Sequence, residues 1–384
     1  MKSRFLDLCV ALALLVSLPG AWPQSNGIDP ALLAKAKAGD ADAEFRVAVS
    51  YANLGNLKES HRWHLMAAQN GNARAMTIVA ADYEFGRNVA RDDKQAFSWY
   101  RKAASAGDLT AITNVGDLYE RGVGVQQDFA QAAAWYLKAA EQGDQYAQLN
   151  LGSLCENGQG VPQDHAKAVI WWRQAAEHGN AAAQYNLGRA YNIGQGVAKD
   201  YTQAALLFRK AADQGNVDGQ YMLGLLYALG IGVPQSYAEA VMWYRKAADQ
   251  GDANAENDLG ELYFNGGVMK PDDTSKGNNR MVRDDGGGPF PKDFATAAMW
   301  LQKAAEQGNA DAQNDLGLLY EDGNGVPQNY AEAYFWFSLA SAKAPYYSVN
   351  RDRIASNLTK TTLLQTQERA QKWFEDHPAK ANPQ

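Results

Sequence analysis

The sequence predicts an all-α array of stacked helix pairs, and three observations predict it. A Gly-Asn or Gly-Asp pair returns every 36 residues, at Gly71-Asn72, Gly107-Asp108, Gly143-Asp144, Gly179-Asn180, Gly215-Asn216 and Gly251-Asp252. Each interval holds two runs with apolar residues at helical spacing, parted by a turn rich in Gly. A residue suited to capping a helix stands before both runs. A fixed period of this length marks units that bury their apolar faces only against their neighbours, so the chain forms one elongated domain rather than two or three closed cores. Two further pairs, Gly39-Asp40 and Gly308-Asn309, fall 32 residues before Gly71 and 57 after Gly251.

In chain order, residues 1–21 read as an export signal. Lys2 and Arg4 precede the apolar run Leu8 to Leu18, and Pro19, Gly20 and Ala21 follow it. Cleavage after Ala21 would put Pro19 three residues before the cut, an unfavourable place, so the cleavage site and a retained anchor stay open. The run is short for a membrane span. Cys9 lies inside it, after Asp7 and Leu8, so no lipid anchor is expected. The mature chain is expected to be soluble and exported, periplasmic or secreted. Residues 22–36 then carry a lead-in helix. Eight repeats follow over 39–343, starting near 39, 71, 107, 143, 179, 215, 251 and 308.

Within a unit, the second residue opens helix A. It is Asp40, Asn72, Asp108, Asp144, Asn180, Asn216, Asp252 or Asn309, whose short side chain accepts from a free N–H of the first turn. In the fourth repeat Ala147, Leu151 and Leu154 keep helical spacing, and Gly152 removes a side chain where a neighbouring helix presses closest. Gly158, Gly160 and Pro162 end that helix. A second cap opens helix B at Asp92, Asp128, Asp164, Asp200, Ser236, Asp293 and Asn329. Helix B carries a large ring, Trp63, Trp99, Trp135, Trp171, Phe208, Trp243, Trp300 or Trp336, read here as core. Helix A faces it with Tyr51, Tyr83, Tyr119, Tyr191, Tyr227, Tyr263 and Tyr320.

These residues resemble the Sel-1-like repeat family, a relative of the tetratricopeptide repeats with a longer unit. Its pattern, Ala, then Leu-Gly-x-Leu-Tyr, a Gly-x-Gly-Val turn, Asp, Ala, Trp, Lys-Ala-Ala and Gly, runs through repeats three to six and eight. The resemblance covers roughly residues 39 to 343 and implies a right-handed superhelical solenoid of antiparallel helix pairs. It also implies a scaffold or adaptor that binds protein, not a catalyst. Repeats one and two depart from it: Asn53-Leu54-Gly55 is a shortened turn, and Asn88-Val89-Ala90 lacks the second loop glycine. Cys155, the one cysteine left after export processing, separates the chain from the cysteine-rich branch in which disulfides staple each repeat. It reads as a buried structural thiol.

The net charge of −7, without clustered Lys or Arg, argues against nucleic acid and anionic membrane as partners. A monomer is favoured. No cofactor is expected, because no phosphate-binding Gly-Lys-Ser or Gly-Lys-Thr follows the loop glycines. His61 and His64 stand three apart, and without a Cys or carboxylate at matching spacing they read as a solvated helix face rather than a metal site. No residue presents itself as a catalytic group.

Two features exceed what the repeat needs. In related helical-hairpin arrays helix A lines the concave groove. The eighth position of the unit is Asn114, Asn150, Asn186, Met222, Asp258 and Asp315 from the third repeat on. Three successive Asn residues would form a polar ladder able to pair with a peptide backbone, or each would bond to the adjacent hairpin. The eleventh position, Asp117, Ser153, Arg189, Leu225, Glu261 and Leu318, varies beside it and suits partner selection. The second feature is an insertion of 21 residues in repeat seven, at 269–289. It has no apolar periodicity and reads as a mobile loop. It is not a calcium loop, since Thr274 and Lys276 follow Asp272 at the ligand spacing.

After Pro345, helical stretches at Tyr347 to Leu358 and Leu363 to Glu375 read as a terminal cap within 347–377, and 378–384 as a disordered tail. The expected function is an exported scaffold binding a protein or peptide along the concave face. A regulator of a cell-envelope enzyme is the alternative, and a hydrolase of cell-wall or lactam substrates a third reading that lacks any nucleophile to carry it.

Overall fold

The computed structural model describes residues 27–267 and 290–377. The export signal, the insertion at 269–289 and the tail at 378–384 lie outside the described residues. Among the described residues there are nineteen α-helices, one 3-10 turn and no strand. The chain divides into two compact units, between Asp128 and Phe129.

The N-terminal unit holds α1 (Pro30–Lys37), α2 (Ala41–Asn53), α3 (Leu57–Gln69), α4 (Ala73–Phe85), α5 (Asp93–Ser105) and α6 (Leu109–Arg121). The C-terminal unit holds α7 (Phe129–Ala140), α8 (Gln145–Asn157), α9 (His165–Glu177), α10 (Ala181–Ile193), α11 (Tyr201–Asp213), α12 (Val217–Leu229), α13 (Tyr237–Ala248), α14 (Ala253–Asn265), α15 (Phe294–Glu306), α16 (Ala310–Asp322) and α17 (Tyr330–Lys343). It closes with a 3-10 turn (Pro345–Tyr347), α18 (Ser348–Ala355) and α19 (Lys360–Asp376). Inside each unit successive helices pack on one another, except at the C-terminal end, where α18 and α19 both pack on α17.

The caps fall where the Gly-Asn/Asp pairs put them. All eight second-position side chains accept from the backbone N–H three residues on, for example Asp40 from Ala43 at 2.8 Å and Asp144 from Ala147 at 2.7 Å. Helix B begins the same way at Asp164, Asp200 and Ser236. Asn88 replaces the second loop glycine and takes the same left-handed backbone, φ 62°, as the one described non-glycine residue to do so. Asn tolerates that region because its short amide bonds locally. In repeat seven, Phe290 N–H donates to the Gly266 carbonyl at 3.1 Å and joins the two flanking segments. Its helices α14 and α15 pack as a pair like the others. In the terminal cap α19 starts at Lys360, ahead of the expected Leu363, with Thr359 capping it through the Thr362 N–H.

The aromatic core differs from expectation by one residue. A Cβ on Gly152 would stand 2.6 Å from the Trp172 indole, on Gly224 2.7 Å from Tyr244 and on Gly317 2.6 Å from Phe337. The ring that presses into the glycine gap is therefore the residue after the Trp column, at Trp172, Phe208, Tyr244 and Phe337, and Tyr100 and Tyr136 hold the same place in their helices; all are essentially inaccessible. Phe208 belongs to this second column. In the first column, Trp63, Trp243, Trp300 and Trp336 are buried but Trp99, Trp135 and Trp171 only half so. The ammonium groups of Lys102, Lys138, Lys246 and Lys303 sit over four of the first-column rings, 3.8 to 5.4 Å from their centres. Adjacent helix positions differ by about 100°, so one ring points at the neighbouring helix and the other takes the core edge, where a cation can cover it.

Candidate functional site

The helix-A face of the C-terminal unit carries three polar columns, and the structure treats each differently. The innermost is a Gln at the sixth position, which sequence reasoning missed. Gln148, Gln184, Gln220 and Gln313 each donate to the carbonyl near the end of the preceding helix B, at Ala140, Ala176, Ala212 and Ala305, over 3.0 to 3.2 Å. Each of these carbonyls also accepts from the N–H of the Gly that follows the helix, so the Gln is a second donor at the helix end and fastens one repeat to the next. Gln214 and Gln250 donate in turn to Gln184 and Gln220, each at 2.8 Å. The signal was present: Gln recurs at the repeat interval as regularly as the Asn column does.

Two positions on, Asn150 of α8 and Asn186 of α10 are half-buried and make no hydrogen bond to any described residue. Asn114 of α6, in the N-terminal unit, is the same. At the eleventh position Ser153 donates to its own helix at Leu149, 3.1 Å, and Arg189 is exposed with Glu156 at 3.7 Å. Arg121 lies between two carboxylates, Asp117 at 2.7 Å and Glu84 at 2.5 Å. Burial pushes Asp117 up to about 6 against the pull of Arg121.

Further along the columns the side chains turn inward. Met222 and Leu225 pack against the clusters around Phe208 and Tyr244, and Leu318 packs with Ile354 of α18. Asp258 and Glu261 of α14 sit in an acid cluster with Asp311 and Asp315 of α16. Asn257 Nδ2 donates to Glu261 at 2.8 Å and to Asp258 at 3.3 Å, and Asn314 Nδ2 to Asp315 at 2.9 Å. The Tyr221 and Tyr244 hydroxyls face Asp258. Burial pushes Asp258 up to about 6, and Glu261 well above the usual carboxylate range, with Asp315 and Asp258 adding to the latter.

The reading of His61 and His64 as a solvated face is corrected. Both are buried, at 9% and 5% exposure. The carboxylate missing from local spacing comes from the next helix: Asp82 of α4 lies 2.5 Å from His61 Nδ1. Ser60 Oγ is 3.4 Å from His64 Nδ1, while His64 Nε2 has no partner. Burial pulls His64 down to about 4, although Asp82 opposes it. Among the described residues no three His, Cys, Asp or Glu side chains are placed to hold a metal ion, and no helix is long and apolar enough to cross a membrane. Cys155 is buried, and burial raises its thiol pKa.

The Sel1 repeat family model matches residues 41–72, 73–108, 109–144, 145–180, 181–216, 217–252, 253–278, 283–309 and 310–344. The chain belongs to the Sel1 repeat family. Two of the nine matches, 253–278 and 283–309, contain the two helices of the interrupted repeat. The chain is similar to a Sel1 repeat protein from Oxalobacter formigenes, at 30% identity over 88% of this chain and 96% of that one, with a TM-score of 0.59. It is also similar to a protective antigen with an SLR fold from uropathogenic Escherichia coli, at 29% identity over 92% and 89% of the two chains, TM-score 0.48. The comparison with curated proteins returns no match. Sel1 repeat proteins form a family of non-catalytic scaffolds that mediate protein–protein interaction.

Proposed function

We propose that this Sel1 repeat protein is an exported, non-enzymatic scaffold that binds a protein or peptide segment along the helix-A face. The observation that carries the reading is the contrast between adjacent columns. The Gln column is bonded to backbone at four repeats, whereas the Asn114, Asn150 and Asn186 amides are half-buried and unpaired. A primary amide offers donors and an acceptor together, which matches the alternating N–H and C=O of an extended peptide. Because the amides already sit partly shielded, a partner's backbone would gain hydrogen bonds without first having to break any within the protein. Export is supported by the charged and apolar pattern of residues 1–21.

The test replaces Asn114, Asn150 and Asn186 together with Ala. Helicity and unfolding midpoint should stay within about 0.5 kcal/mol per site, while recovery of the native partner from envelope extract falls at least about tenfold. A stability loss of several kcal/mol, or undiminished recovery, would overturn the assignment of this column to binding.

A further inference from the structure

The N-terminal unit holds an open cleft between its first two A helices. It has a volume of about 550 Å³ and is lined by Asp42, Phe45 and Arg46 of α2 and by Asn72, Ala73 and Arg74 at the start of α4. Counted from Gly39, Arg46 is the eighth residue of repeat one, so it holds in its repeat the place that Asn114 holds in the third. The polar column therefore has a charged start.

The side chains of the cleft divide into a fixed set and a free one. Asp42 Oδ1 accepts from Asn72 Nδ2 at 2.8 Å, and Asn72 Oδ1 accepts from the Ala75 N–H at 2.8 Å, so acid and amide are tied to each other and to the helix start. Phe45 is half-buried, with its ring 5.5 Å from that of the buried His64, and gives a fixed apolar wall. Arg46 and Arg74 are exposed and make no ion pair to a described residue. Two guanidiniums against one carboxylate leave the lining one positive charge in excess, which a carboxylate balances and a phosphate dianion overshoots. A guanidinium presents its N–H donors in a fork that matches the two oxygens of a carboxylate, and two that line one cleft can share one anion. The cleft is of the size that small ligands and single residues occupy, and Phe45 and Ala73 add apolar surface for the carbon chain that bears the acid.

We infer that this cleft receives a carboxylate of the bound peptide, from its C-terminus or from an Asp or Glu side chain. The inference rests on the helix-A face being the binding face, and the captured charge would set the register of the peptide on Asn114 of the same unit.

The full chain, nitrogen-15-labelled at arginine, is titrated at pH 7 with three peptides. Acetyl-Gly-Gly-Leu carries a terminal carboxylate, acetyl-Gly-Glu-Leu-amide a side-chain carboxylate, and acetyl-Gly-Gly-Leu-amide none. Millimolar amounts of at least one carboxylate peptide should move the Arg46 and Arg74 Nε–H resonances saturably, and the tighter of the two identifies the source. The amide peptide should move neither. Arg46→Gln and Arg74→Gln, each with native circular dichroism, should weaken binding at least about threefold as read at the remaining arginine, and raising salt from about 50 to about 500 mM should weaken it as well. No saturable shift with either carboxylate peptide, an equal shift with the amide peptide, unchanged affinity in both arginine variants, or tighter binding of inorganic phosphate would overturn the inference. The readout uses neither the native partner nor the Asn column, so its failure is distinct from a failure of the Asn variants.

Discussion

Two buried clusters of ionisable side chains, one in each unit, have opposite chemistry. In the N-terminal unit, Ser60, His61 and His64 of α3 pack against Asp82 of α4, with Phe45 5.5 Å from the His64 ring. In the C-terminal unit, Asp258 and Glu261 of α14 lie among Tyr221, Tyr244 and the acids of α16. Burial opposes charge in both, so it lowers the histidine and raises the carboxylates. The same desolvation therefore gives the two units opposite responses to pH.

The architecture beneath the clusters is shared, and it is the first place to break the comparison. A Cβ on Gly124, φ 71°, would lie 2.0 Å from the Asp93 carbonyl oxygen, and one on Gly160, φ 70°, 2.2 Å from the Phe129 carbonyl carbon. Gly124→Ala and Gly160→Ala should each cost at least about 3 kcal/mol in denaturant unfolding, since backbone strain and a backbone clash combine. A loss confined to one unit would show that the repeats are not built alike.

The pH response comes next. Burial holds His64 at about 4 in the folded chain, below the ordinary value of 6.5, so the unfolded chain holds the proton more tightly. Its contribution is present above pH 6.5 and is lost as pH falls toward 4. Asp258 rises from 3.8 to about 6, so the folded chain holds the proton more tightly. Its contribution is present below pH 3.8 and is lost as pH rises toward 6. Taking the N-terminal unit from pH 7 to 5 should cost about 2 kcal/mol through His64, partly offset by Asp117, which responds like Asp258. The C-terminal unit should gain about 1 kcal/mol over the same change. Hydrogen exchange in α3 and α14 measures both, and slopes of equal sign would refute the contrast.

Single variants sharpen the assignment. His64→Phe removes a buried nitrogen without a partner and should abolish the acid sensitivity of the N-terminal unit while changing stability at pH 7 by less than about 1 kcal/mol. Asp258→Asn should stabilise the C-terminal unit at pH 7 by about 1 kcal/mol and flatten its response between pH 4 and 6. The smallest effect, under about 0.5 kcal/mol, belongs to Asn150→Ala and Asn186→Ala, whose amides bond to nothing described.

Local chemistry was legible where it acts over a few residues. The Asp and Asn caps, the loop turns and the pairing of helices follow from hydrogen bonds and backbone preferences that span one turn, and Gly152 announced its close contact by lacking a side chain. The binding columns were legible as positions only. Asn186 and Asp258 occupy the same place in the repeat, yet one is half-exposed and unpaired while the other faces two phenols, because Tyr221 and Tyr244 stand toward Asp258 where Leu149 and Trp172 stand toward Asn186. The Trp column was placed one residue from the ring that fills the gap, since periodicity gives the face of a helix but not which of two adjacent rings meets the neighbour.

The sequence by itself determined the repeat, the capped ends of its helices and the Sel1 family, because a 36-residue period repeats the same short-range physics in every unit. Tertiary structure alone decided that His61 meets Asp82, that Gln184 donates to the Ala176 carbonyl of the preceding helix, and that Glu261 is buried, and Asp258 half-buried, beside the acids of α16. The reason is desolvation. Whether a polar side chain is a solvated ornament, a helix fastener or an uncompensated charge depends on what an adjacent helix brings within about 3 Å, and no spacing along the chain contains that distance.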